Sequence, residues 1–145
     1  QVKFWDSSAI VPLCVKEPGS DTVKSILAED RSLVVWWATR VECVSTFMRQ
    51  LRAGTLSTVG EKQARRVLAT LVTSWIEIQP TEILRGTAER LLAVHPLRAA
   101  DALQLAAALE WRRRQTAETL FISFDTRLRE AAYKEGFVLL PSEVR

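Results

Sequence analysis

The chain alternates short apolar runs with longer stretches in which apolar residues recur at helical spacing. Val2, Phe4 and Trp5 predict a strand over residues 2–5. Asp6, Ser7 and Ser8 interrupt that run, a pattern that starts a loop or a helix, and apolar residues then resume. Gly19-Ser20-Asp21 reads as a helix start, with Val23, Ile26 and Leu27 on one face. Leu33 to Trp37 is a compact apolar strand. Thr39 opens a helix carrying Val41, Val44, Met48 and Leu51, stopped by Gly54. Another helix follows Ser57, with Ala64, Val67, Leu68 and Leu71. Trp75 to Ile78 predicts the third strand, ended by Pro80. Thr81 caps a helix to about Val94, and His95-Pro96 breaks it. Ala99 to Arg113 is a long helix, Leu120 to Phe124 the fourth strand and Arg127 to Lys134 a short helix. Gly136 ends that helix, and Phe137 to Leu140 is the last strand.

Strands separated by helices predict parallel pairing through crossover connections. Strands that are apolar throughout predict a sheet covered on both faces. The expected fold is therefore α/β, a three-layer α/β/α sandwich with a mostly parallel central sheet. No repeat, linker or low-complexity segment divides it, so residues 1–145 are expected to form one domain. In such sheets ligands bind beyond the carboxyl ends of the strands, where the strand order switches.

Four acids fall where that edge is expected. Asp6 ends the first strand and Asp125 follows the fourth. Glu42 lies in the first turn of the helix after the second strand, and Asp101 in the first turn of the Ala99 helix. Each has a local explanation: an Asx-turn for Asp6, a capping box Thr39-x-x-Glu42, the helix dipole for Asp101, an N-cap for Asp125. Asp101 strains its local explanation most. From Ala99 to Leu109 only Asp101 and Gln104 are polar, and a helix apolar nearly all round is buried. A buried carboxylate needs a partner or a metal, and Arg98 is one candidate partner. Four acids on one edge would repel, and a divalent cation relieves this. Oxygen ligands without a histidine or thiolate cluster suit Mg²⁺ or Mn²⁺. Metal-dependent phosphodiester hydrolysis is consistent chemistry, with other carboxylate–metal enzymes left open.

Composition narrows the picture slightly. The chain has 145 residues, 20 Lys and Arg against 17 Asp and Glu, and a formal charge of +3, which permits a polyanionic partner without demanding one. The longest apolar stretch, Ala102 to Leu109, is far too short to span a bilayer. Lys3 and Asp6 break up the only apolar start, so no signal peptide is expected and a cytoplasmic location is. Cys14 and Cys43 are far apart in sequence and sit in apolar contexts, which predicts buried reduced thiols. With His95 the only histidine, a zinc site of the usual kind is not expected.

Four segments carry a family resemblance: FWDSSA from Phe4, TRVE from Thr39, LRAADALQLA from Leu97 and SFDTRL from Ser123. In this order, across nearly the whole chain, they resemble PIN-domain ribonucleases, in particular VapC-type toxins of bacterial toxin–antitoxin pairs. The resemblance implies a Mg²⁺-dependent endoribonuclease with Asp6, Glu42, Asp101 and Asp125 as its catalytic, metal-holding pocket. It implies attack on phosphorus by a metal-activated water, leaving a 5′-phosphate and a 3′-hydroxyl. Ser7 or Ser8 would hold a ligand through a hydroxyl. It also implies a homodimer and a cognate antitoxin that covers or enters the pocket. Two departures stand out. Many members have His where this chain has Gln104, and some carry a further acid soon after the fourth position, where Thr126, Arg127 and Leu128 follow Asp125 here. One or two metal ions are left open.

Arg49 and Arg52 are candidates to line an RNA path beyond Glu42, and Arg98 to bind phosphate or neutralise Asp101. Arg112-Arg113-Arg114 grips phosphate on one reading and is a solvated helix end on the other. Trp36 and Trp37 are expected to pack within the strand, and His95 to be structural. The alternative function is a non-catalytic interaction module, PIN-like or receiver-like, with a metal in its acidic pocket. Against the receiver-like form, serines rather than a second acid follow Asp6, and no lysine ends the Leu120–Phe124 strand.

Overall fold

Residues 2–144 are described in a computed structural model. Five parallel strands form one sheet in the order β3-β2-β1-β4-β5. They are β1 (Val2–Trp5), β2 (Val34–Trp36), β3 (Ile76–Ile78), β4 (Thr119–Ile122) and β5 (Val138–Leu140). The helices are α1 (Ser7–Cys14), α2 (Ser20–Glu29), α3 (Thr39–Ala53), α4 (Thr58–Val72), α5 (Glu82–Val94), α6 (Ala99–Arg113) and α7 (Thr126–Lys134).

The pleat divides the core in two, because successive strand residues point to opposite faces. Phe4, Val34, Trp36 and Phe121 enter one cluster with Leu91 of α5, Leu105 of α6 and Leu128 of α7. Trp5, Val35 and Ile122 enter the other with Ile10 of α1, Val23 of α2, Phe47 of α3 and Leu68 of α4. The sheet is thus covered on both faces, and the three-layer α/β/α architecture stands, with pairing that is parallel throughout. Along the chain, the strands step outward from β1 through β2 to β3, then return to the other side of β1 as β4. The switch in strand order therefore falls at the carboxyl ends of β1 and β4.

Three local differences from the expected elements have physical causes. Helix α1 is absent from the periodicity because Ala9 to Leu13 are all buried, leaving no polar stripe, and because Pro12 lies inside it. Asp6 nonetheless starts it as N-cap, accepting the Ser8 amide. The second strand is shorter than its apolar run, since Trp37 turns out of the ladder. Its amide still reaches the Ile78 carbonyl at 3.1 Å, but its side chain is 51% exposed. Trp36 packs inside as expected, whereas Trp37 does not. The fourth strand stops at Ile122, leaving Ser123, Phe124 and Asp125 to shape the edge.

Candidate active site

The β1–β4 register builds the centre of the site. Trp5 pairs with Ile122, so Asp6 lies beside Ser123, and the Asp6 amide donates to the Ile122 carbonyl at 2.9 Å. Asp6 is 4% exposed. Its Oδ2 accepts the Ser8 hydroxyl at 2.6 Å, the Ser8 amide at 3.3 Å and the Ser123 hydroxyl at 3.0 Å. Its Oδ1 receives only the Ser7 hydroxyl, at a long 3.5 Å. One oxygen is anchored and the other is left to the cleft. Asp125 follows the same division. Its Oδ1 caps α7 through the Leu128 amide at 2.9 Å, and its Oδ2 has no hydrogen bond among the described residues. The local explanations for these two acids hold, and they are also what aims the carboxylates.

The proposed capping box at Thr39 does not form. Ala38 is the N-cap of α3, with no side-chain bond, and Thr39 is fully buried. Instead both Thr39 and Glu42 face Gln104 on α6. Gln104 Nε2 donates to Glu42 Oε1 at 2.7 Å and to Thr39 Oγ1 at 3.0 Å. Asp101, one turn before Gln104, is half-buried at the start of α6.

Asp6, Glu42, Asp101 and Asp125 thus line one cleft of about 390 Å³, together with Ser7, Ser8, Thr46 and Arg49. Their charges couple in series. Burial pushes the Asp6 carboxyl up to about 6, against its hydrogen bonds and with help from the Glu42 charge. Burial raises Glu42 too, and the Asp101 charge adds to it, while bonds from Gln104 and Ser7 oppose. Burial raises Asp101, with the Asp125 charge adding and Arg98 and Arg127 opposing. Among the described residues no lysine, arginine or histidine forms a salt bridge with any of the four. Crowded oxygen donors that no protein cation pairs directly fit a hard divalent cation rather than zinc. Among the described residues, however, no three His, Cys, Asp or Glu side chains form a ready-made metal ligand group.

The remaining candidates separate. Arg49 lines the cleft, held by Ser45 at 3.4 Å and Thr46 at 3.2 Å. Arg98 is exposed, and its charge reaches Asp101. Ser8 is a brace: its proton goes to Asp6, and its oxygen accepts the Phe124 amide at 2.9 Å. Its hydroxyl is therefore committed, whereas that of Ser7 is the looser of the two. The arginine triplet sits at the end of α6 opposite Asp101, about 20 Å away at 1.5 Å per residue. Arg112 donates to the Glu135 carbonyl and stacks on Phe137, and Arg113 and Arg114 pair with Glu110. His95 is structural, buried against Glu135 at 2.7 Å. Cys43 is buried and Cys14 partly so, both as free thiols whose protons burial retains.

Gln104, Thr39, Ser123 and Arg127 carry parts of the site that the acids alone did not point to. Gln104 had a signal, as the second polar residue of an apolar helix. Ser123 had only its place two residues before Asp125. The Asp6 contact depends on a strand pairing between residues 117 positions apart.

An acidic cleft at the switch point of a five-stranded parallel α/β sheet defines the class of protein. The chain belongs to the PIN domain family, whose profile matches residues 3–134. No individual curated protein matches it in sequence. Among solved structures it is similar to PAE2754 from Pyrobaculum aerophilum, with a TM-score of 0.68 and 16% identity over 96% of this chain and 89% of that one. It is also similar to VapC20 from Mycobacterium tuberculosis, described as a sarcin–ricin loop cleaving toxin. There the TM-score is 0.66 and the identity 19% over 94% of this chain and 96% of that one. VapBC2 from Rickettsia felis, solved on a DNA fragment from its promoter, gives 0.65 and 11% over 96% and 97%. At these identities the likeness is one of fold. Among the described residues no helix is long and apolar enough to cross a membrane.

Proposed function

We propose that this chain is a metal-dependent endoribonuclease and the toxin of a type II toxin–antitoxin pair. The observation that carries the reading is the cleft itself: four carboxylates, coupled through their charges and, among the described residues, in salt bridge with no protein cation, at the switch point of a PIN-domain sheet. Asp6, Glu42, Asp101 and Asp125 would hold Mg²⁺, or Mn²⁺ in its place. A bound cation of this kind lowers the pKa of a water and stabilises charge on a phosphoryl oxygen. The chain's own residues do the positioning. Ser8 and Ser123 fix Asp6, Gln104 fixes Glu42, and the α7 amide fixes Asp125. Arg49 and Ser7, which line the cleft, and Arg98, whose charge reaches Asp101, are the groups that would hold the phosphates of an RNA strand.

An antitoxin partner is supported by the neighbour solved as VapBC2. A homodimer and a cytoplasmic location complete the reading. One observation favours the alternative of a non-catalytic PIN-like module: the described acids are not gathered as a finished ligand set. The deciding experiment incubates purified protein with structured and single-stranded RNAs in Mg²⁺, Mn²⁺ or EDTA, beside Asp101→Asn. Cleavage that needs the metal and the Asp101 carboxylate is expected. Cleavage that survives both EDTA and the substitution, or none under any condition, would count against it. In cells, overexpression is expected to slow growth, and Asp6→Asn to relieve the effect.

A further inference from the structure

Gln104 is 1% exposed, on a helix whose neighbouring positions Ala102, Leu105, Ala106 and Ala107 are apolar and buried. Both protons of its amide are used, on Glu42 Oε1 and Thr39 Oγ1. Its Oε1 is buried with no partner. Turning the amide over would set that carbonyl against a carboxylate oxygen, so the orientation follows from Glu42. A buried carbonyl left without a donor is destabilising. Leu or Met is close to Gln in volume and would remove that orphan, but it would leave the buried Thr39 hydroxyl and Glu42 Oε1 without the donor they now have. Gln104 thus leaves its own carbonyl unpartnered while it donates to Thr39 and Glu42, and of those two it is Glu42 that lines the cleft.

A glutamate side chain loses rotamer entropy when it is fixed in one conformation. Gln104 spends that cost at folding, before any ligand arrives. It does so as a neutral donor. An arginine or lysine at this place would neutralise Glu42 and compete with a cation for it, while an amide supports the ionised carboxylate and leaves its charge for the cleft.

We propose that Gln104 is the positioning residue for Glu42, holding its carboxylate in the cleft in the form and direction that the site's chemistry needs. This rests on the nuclease reading above. The test compares the full-length chain with Gln104→Leu and Gln104→Met, which keep volume, and Gln104→His, which keeps a donor. Calorimetry or electron paramagnetic resonance reads Mn²⁺ affinity, thermal melts read stability, and RNA cleavage gives kcat and KM separately. NMR relaxation of the Glu42 side-chain methylenes reads its order without metal.

Gln104→Leu and Gln104→Met are expected to stay folded and to melt somewhat below wild type, because the buried Thr39 hydroxyl loses its donor. They should bind Mn²⁺ about 10–100-fold more weakly, as loss of an outer hydrogen-bond partner does in metal sites. Loss of kcat with little change in KM for RNA, and a more mobile Glu42, should accompany this. Gln104→His is expected to recover most of the Mn²⁺ affinity. A folded Leu or Met variant with wild-type Mn²⁺ affinity and kcat, beside an active wild type, overturns this role alone. A wild type that neither binds Mn²⁺ nor cuts RNA overturns the nuclease reading and this role with it.

Discussion

Ser123 Oγ donates to Asp6 Oδ2 at 3.0 Å and ties the ends of β1 and β4 together beneath the cleft. The same oxygen accepts the Asp125 amide, also at 3.0 Å. One fully buried hydroxyl therefore sets the spacing of two of the four acids. Ser123→Ala leaves the Asp125 amide without its partner and removes one of the hydrogen bonds that oppose the rise in the Asp6 pKa. The expected loss is about 1–3 kcal/mol, read from urea unfolding. RNA cleavage should fall at least tenfold, because both carboxylates shift. Ser123→Thr keeps the hydroxyl and should keep most of the activity. An alanine variant as active and stable as wild type would show that the hydroxyl does not set this geometry.

Asp6 makes the metal-free protein pH-sensitive in a direction unusual for a carboxylate. Its pKa is pushed up in the folded state, from an ordinary 3.8 to about 6, first by burial. The native chain therefore holds this proton more tightly than the unfolded one. Its contribution to stability is full below pH ~4, is lost as pH rises through about 6, and stays constant above that. The shift corresponds to about 3 kcal/mol. Glu42 and Asp101 are raised as well and act in the same sense. In EDTA, Asp6→Asn should be more stable than wild type at pH 7 and should lose that advantage at pH 4. Mg²⁺ should stabilise wild type at pH 7, by about 2.7 kcal/mol at a hundred times its Kd, and should stabilise Asp6→Asn far less. Denaturant titrations at several pH values, with and without Mg²⁺, check each part. A wild-type chain whose stability rises between pH 4 and 6 relative to Asp6→Asn would contradict the sign.

How much of this was legible from the sequence follows from the range of each interaction. The strands and most helices were legible because period and capping are local: Thr81 caps α5 and Ser57 caps α4 where expected. The acids were legible as a group because a parallel sheet sends every strand end to one edge. Helix α1 was not, since a helix buried all round from Ala9 to Leu13 shows no stripe. Thr39-x-x-Glu42 misled because its spacing fits a capping box. In the fold α6 offers Glu42 a better donor, Gln104, from 62 residues away. Trp37 misled because an apolar run gives no sign of where its last residue leaves the sheet. Contacts set by tertiary packing, such as Ser123 with Asp6, had no counterpart in any local pattern.

Gly19 shows how a backbone constraint distant in sequence supports the site. It takes φ +96°, and a Cβ placed there would lie 2.8 Å from Cζ of Phe124, the residue before Asp125. Gly54 also has a positive φ, +81°, but nothing stands within 4 Å of where its Cβ would be. The pair separates conformational cost from crowding. Gly54→Ala should lose about 1 kcal/mol, and Gly19→Ala at least 1 kcal/mol more, because the Phe124 ring must move. The displacement should reach Asp125 and the Ser8–Phe124 bond, so cleavage should fall for Gly19→Ala and not for Gly54→Ala. Equal stability losses in the two variants would mean that the ring gives way freely.

Trp37 is a large exposed ring at the carboxyl edge of β2, held edge-on against buried Trp36 with centroids 6.4 Å apart. Its backbone is fixed by the Ile78 carbonyl. It lies in the turn before α3, four residues ahead of Val41, which lines the acidic cleft. If the chain acts on RNA, an exposed indole at the same edge of the sheet as the acids offers a face on which an unpaired base stacks, an interaction of about 1–3 kcal/mol. Trp37→Ala removes little packing and should leave the melting temperature nearly unchanged. It should weaken binding of a single-stranded oligoribonucleotide about tenfold or more, measured by fluorescence anisotropy in EDTA so that no cleavage intervenes. Trp37→Phe should retain much of the affinity, since the ring face remains. The salt dependence should be the same in all three proteins, because stacking releases no counter-ions. An affinity unchanged in Trp37→Ala would remove the ring from the RNA path and leave Arg49 and Arg98 as the groups to test there.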